Sequence, residues 1–275
     1  MTGRTILAIL LLSISLTSPT HTAAPPSTQP TDLTLDLGHD TFIKLVLIPA
    51  GTFMMGSPPD EKDRSANESP QHQVRISKPF YMAITPVTQK QWKAVMVQFP
   101  TANGKFVQLN DENAMAMISW ADANEFCRRL SAKTRQTVKL PTEAQWEYAC
   151  RAGSQTRYYF GDDPDLSALP DHAWFDKNIA SEQYPHRVAQ KKPNAWGLYD
   201  MHGNVNQWCS DYLGTYPIRP VTDPPGPATG TFRVFRGGSF MTDSKLCRDA
   251  ARNRNKPTVR IIDNGLRIIV VPRAQ

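Results

Sequence analysis

The chain has 275 residues, 40% of them hydrophobic, 20% charged and 23 of them proline. That length holds a sizeable core, and so many prolines with so few charges exclude a helical bundle. The formal net charge is +6, but the cations are scattered, with no basic run longer than Lys191-Lys192, which excludes a nucleic-acid interface built on a basic stripe.

Arg4, the apolar run Ile6–Leu16 and the small residues Thr22-Ala23-Ala24 read in that order as a signal peptide over residues 1–24. The run is too short for a membrane span and no second one follows it. No cysteine precedes Cys127, so no lipid anchor forms at a cleaved N-terminal cysteine. The expected location is therefore the periplasm or the outside of the cell. Residues 25–40 are polar and proline-rich and are expected to be a disordered lead-in to a domain covering residues 41–275.

Within that domain Phe42–Ile48, Thr52–Met55, His72–Ile76 and Phe80–Met82 carry strand patterns separated by Pro-Gly-Ser turns. Thr88 with Gln91, Ser119, and Thr142 with Gln145 mark three helix starts. Behind them Trp92 and Val95, then Ala123, Phe126, Cys127 and Leu130, then Trp146, Ala149 and Cys150, fall at helical spacing. From there to Phe232 the chain reads as long loops, and Phe232–Phe235 and Gly265–Val271 as two final strands. The sum is a single α+β domain with much irregular chain, which needs metals, disulfides or buried polar side chains to tie it down.

The densest stretch is Pro193–Tyr212, where turn formers (Pro193, Asn194, Gly197, Gly203, Asn204) are mixed with Trp196, Tyr199, Trp208 and Tyr212. Such a mixture predicts an ordered loop pinned by buried rings. Together with Ile48–Ser57, Lys139–Arg151, Phe235–Phe240 and Asn264–Arg267, in this order, it resembles the formylglycine-generating-enzyme, or sulfatase-modifying-factor, family along essentially the whole mature chain. The resemblance implies a C-type-lectin-like variant fold, loop-dominated and often calcium-bound. In the oxygen-dependent members two cysteines after the Gly-Gly-Ser motif hold Cu(I), a soft ion suited to paired thiolates. Counted without a gap from Gly237-Gly238-Ser239, the first position holds Thr242 and the second Cys247, leaving Cys247 as the one candidate catalytic thiol. Counted back from Ala250-Ala251-Arg252, Cys247 matches neither position. Copper and formylglycine formation are therefore not expected.

By the same resemblance a calcium site falls on Asp200, Gly203, Val205 and Gln207, with Gln207 standing where the family usually has Glu; a tight turn in which Asp200 bonds nearby amides accounts for the same residues. The four cysteines, Cys127, Cys150, Cys209 and Cys247, allow three disulfide connectivities or none. Family disulfides join regions like those of Cys150 and Cys247; buried thiols are the other reading. Glu147 and Arg236 are expected in a buried polar network, while His72, His172, His186 and His202 show no ligand spacing. Two functions follow from the resemblance. One is a non-catalytic binding, accessory or regulatory module for a periplasmic protein or peptide, using the loop from Phe240 to Asn264. The other is an oxidative maturation enzyme of altered chemistry.

Overall fold

The computed structural model of the chain describes residues 31–99 and 108–272; the signal peptide expected over residues 1–24 lies outside them. The elements are β1 (Asp32–Asp36), β2 (Phe42–Ile48), β3 (Gly51–Met55), β4 (His72–Ile76), β5 (Phe80–Ala83), α1 (Gln89–Met96), α2 (Trp120–Thr134), β6 (Thr137–Lys139), α3 (Glu143–Arg151), α4 (Leu169–His172), β7 (Ala173–Trp174), β8 (His202–Gly203), β9 (Asn206–Tyr212), β10 (Val221–Thr222), β11 (Arg233–Arg236), β12 (Arg252–Asn255), β13 (Asn264–Gly265) and β14 (Ile269–Val271). The α+β class is as the sequence indicates. Among the described residues no helix is long and apolar enough to cross a membrane.

The three longer helices begin where the capping residues place them. The amides of Gln91, Asp122 and Gln145 donate to the hydroxyls of Thr88, Ser119 and Thr142, and the third-position side chains bond back to the cap amides. Each box therefore satisfies donors that the helix itself leaves unpaired.

A five-stranded sheet in the order β1-β2-β5-β14-β6 divides the core. Successive residues point to opposite faces. Tyr81 and Val270 face a cluster containing Trp92, Phe126 and Leu130 from α1 and α2. Phe80, Met82 and Ile269 face another, with Trp146, Ala149 and Cys150 from α3. A second sheet, β10-β4-β3, closes over that second cluster, and a third, β12-β11-β9-β13, carries the functional loops.

Three expectations change. The lead-in is not disordered throughout: Leu33 and Leu35 alternate with polar residues, and β1 pairs antiparallel with β2 over Asp32–Asp36. The long loop region contains β9, buried along most of its length. No disulfide forms, Cys150–Cys247 included: all four cysteines are free, buried thiols.

Candidate functional site

The Gly237-Gly238-Ser239 turn leaves the end of β11 with both glycines at positive φ, 96° and 72°. A Cβ added at Gly238 would lie 2.8 Å from Cys247 Sγ and 3.0 Å from Thr242 Oγ1. Glycine is required there by that crowding as well as by φ, and the same crowding shows that the hydroxyl and the thiol are neighbours. Thr242 Oγ1 accepts from the Ser239 amide at 2.8 Å and donates to the Ser239 carbonyl at 3.1 Å. Cys247 is fully buried beside Tyr158, Leu169, Ala173 and Phe175. Burial pushes its thiol up to about 12, against a smaller opposing effect of the Thr242 hydrogen bond. Of the two positions expected to grip a soft ion, one is an oxygen already engaged and the other a protonated thiol.

Beside this pair Ser239 Oγ donates to Asp263 Oδ2 at 2.5 Å, and Asn206 Nδ2 donates to the same oxygen at 3.0 Å. Burial raises the Asp263 carboxyl, with the Ser239 bond opposing. Asn264 pairs in register with Asn206, and both of its amide atoms are buried without a hydrogen-bond partner. The floor of the turn is thus a polar cradle that sequence spacing did not single out.

The expected calcium residues come together differently. Gln207 Oε1 accepts from Trp146 Nε1 at 2.9 Å and from Arg267 Nε at 2.8 Å. Two donors on one atom identify it as the oxygen, so Nε2 must point the other way, and it donates to the Asp200 carbonyl at 2.6 Å. A donor N–H cannot ligate a cation. Asp200 Oδ2 accepts from the Ala189 amide at 2.8 Å, eleven positions upstream, and Oδ1 from the Asn204 side-chain amide at 3.5 Å, four positions on. Gly203 is left-handed and donates its N–H to the Gly237 carbonyl, and Val205 is buried in a small cluster with Ala114 and Ala116. The cation present is internal. Arg267, fully buried, donates to the carbonyls of Ala83, Tyr199 and Asp200 as well as to Gln207. These donor groups do not fit a calcium ion.

The expected polar network is there and larger than Glu147 and Arg236. Glu147 accepts from the Gly56 amide and from Arg151, each at 2.9 Å, and pairs with Arg236. Glu143 receives Arg252 through two bonds of 2.6 and 2.7 Å. Trp146 and Trp208 are fully buried core anchors. A cavity of about 70 Å³ lies over this network, lined by His72, Glu143, Asp211, Tyr216, Pro227 and Arg252 among others, and is formed by none of the residues singled out for catalysis or calcium. The sequence also hid a trio: Cys150, His202 and Asp249 place their ligating atoms within 4.8 Å of one another.

Comparison with known proteins agrees with this architecture. The family model described as a sulfatase-modifying factor enzyme 1-like domain matches residues 37–271. A formylglycine-generating enzyme of Streptomyces coelicolor is 30% identical, over 77% of this chain and 84% of its own. Among solved structures, Treponema denticola variable protein 1 superposes with a TM-score of 0.78 at 27% identity, covering 89% of this chain and 100% of its own. PvdO from Pseudomonas aeruginosa does so with 0.78 at 26%, covering 89% and 99%.

Proposed function

The chain belongs to the sulfatase-modifying factor enzyme 1-like family, and from that premise we propose that it is an exported member which keeps the scaffold without making formylglycine and serves as a binding or accessory module for a periplasmic protein or peptide. The observation that carries this reading is the pair at Gly238. Cu(I) is held by paired thiolates. Here Thr242 supplies an oxygen committed to Ser239, and Cys247 is buried with its proton held. The partner-facing surface in this reading is the loop after the turn. Met241 is 46% exposed, and Lys245, Arg254 and Lys256 of the same region are exposed. Methionine and arginine are among the residues enriched where proteins meet.

The test is to incubate the purified chain with Cu(I), oxygen and a cysteine-containing sulfatase peptide, following the peptide by mass spectrometry. The peptide is expected to remain unconverted; copper-dependent formation of formylglycine would overturn the reading. The cradle of Ser239, Asp263 and Asn264 favours a second reading, an oxidative maturation enzyme of altered chemistry, because its raised carboxyl and unpartnered amide are groups that could engage a substrate. Elemental analysis separates the two, since a bound redox metal is expected only for the enzyme.

A further inference from the structure

Cys150 lies near the end of α3, His202 in β8, and Asp249 in the turn that precedes β12, and all three are fully buried. Cys150 Sγ stands 3.4 Å from His202 Nε2 and 3.3 Å from Asp249 Oδ1, and the last two atoms are 2.7 Å apart. As a hydrogen-bonded triad this is poorly satisfied. Oδ1 takes both donors, while Asp249 Oδ2 and His202 Nδ1 are buried with no hydrogen-bond partner. The cation beside Oδ2 is Arg151, at 3.6 Å, and Arg151 is closer to Glu147, at 2.9 Å. Buried polar atoms in native proteins are paired, and an unpartnered carboxylate oxygen inside a cluster of ligating groups points to a missing ion.

We propose that Cys150, His202 and Asp249 form a structural zinc site. A thiolate, an imidazole nitrogen and a carboxylate are zinc's ligand types, and donors around a tetrahedral zinc stand about 3.3–3.6 Å apart. Both sulfur separations match that spacing; the nitrogen–oxygen distance opens when the ion replaces the bridging proton. The two Asp249 oxygens belong to one carboxylate and fill one corner, which leaves the fourth position to a small ligand such as water. Thiolate and carboxylate cancel the ion's two charges, so a neutral complex is left where a net charge would be costly. Calcium and magnesium, which take six or more oxygens, do not fit. Tyr159 stacks on His202 with centroids 4.5 Å apart and Phe160 meets it edge-on. All three ligands are buried from solvent, so the ion enters as the chain folds. It would tie α3, β8 and the loop before β12 together.

The test uses the full chain purified without chelator. Elemental analysis is expected to find about one zinc per folded chain, retained in Cys247→Ser and lost in Cys150→Ser and His202→Gln. Refolding the wild type with Co2+ alone should give a near-ultraviolet thiolate-to-cobalt charge-transfer band that is absent from Cys150→Ser. Should the variants fail to fold, X-ray absorption of the cobalt-loaded wild type decides: one sulfur among nitrogen and oxygen ligands supports the site, and a shell without sulfur overturns it. It is equally overturned by folded wild type carrying less than about a tenth of an equivalent of zinc and giving no band with Co2+, or by a band that survives Cys150→Ser.

Discussion

At Gln207 the amide orientation is dictated by Trp146 and Arg267, both of which can only donate. Gln207→Glu exchanges the inward N–H for an anionic oxygen facing the Asp200 carbonyl. In chelator-free buffer the wild type is expected to melt at the same temperature with and without added calcium. The Glu variant should melt lower without calcium and recover with it, which at about a hundred times its dissociation constant adds about 2.7 kcal/mol. A calcium-dependent rise in the wild type would refute the orientation argument. Asp211 gives a second residue-level prediction. Burial, reinforced by the nearby Glu143 charge, pushes its carboxyl up to about 7 from 3.8. Between those values the folded state binds more protons than the unfolded state, so this group makes stability fall as pH rises through the window, by at most about 1.4 kcal/mol per pH unit. Urea unfolding at acidic and at neutral pH should show a smaller loss for Asp211→Asn than for the wild type; equal losses would exclude the group as the source.

Among the elements, α3 is the one that other parts are built against. Its Glu147 is buried between the Gly56 amide, Arg151 and Arg236, which joins the helix to the loop after β3 and to β11. Arg236→Ala leaves that carboxylate short of a partner and is expected to cost about 3–5 kcal/mol in denaturant unfolding; a loss below about 1 kcal/mol would place the pair in solvent-like surroundings. The helices were legible in the sequence because their caps are local: Thr88, Ser119 and Thr142 need only residues three positions on. Strands defined by their neighbours were not. β9, Asn206–Tyr212, is buried on both faces for most of its length and shows no alternation, and β12, Arg-Asn-Arg-Asn, is a strand because β11 pairs with it residue by residue. The candidate sites divide in the same way. Thr242 and Cys247 follow a motif five residues apart and could be read. Cys150 and Asp249 stand 52 and 47 positions from His202, and only folding joins them.

For the molecule as a whole, the irregular chain is held by buried ion pairs and hydrogen bonds, since its four cysteines are free and buried. Iodoacetamide should therefore label none of the four in the native protein and all four in guanidinium chloride with chelator and no reductant, as read by intact mass; a pair that resists alkylation until reduced would show a disulfide. The five-stranded sheet has a further property. The last strand among the described residues, β14, is not at the border but between β5 and β6, paired with both. A polypeptide made from its N-terminus thus delivers this interior strand after the other four of the sheet. Contacts so distant along the chain slow folding, and until Ile269–Val271 arrive β5 stands with one side bare. A premature stop just short of them would bare that side of β5 and leave β6 without its neighbour, so the loss of this strand would remove two strands from the sheet instead of one.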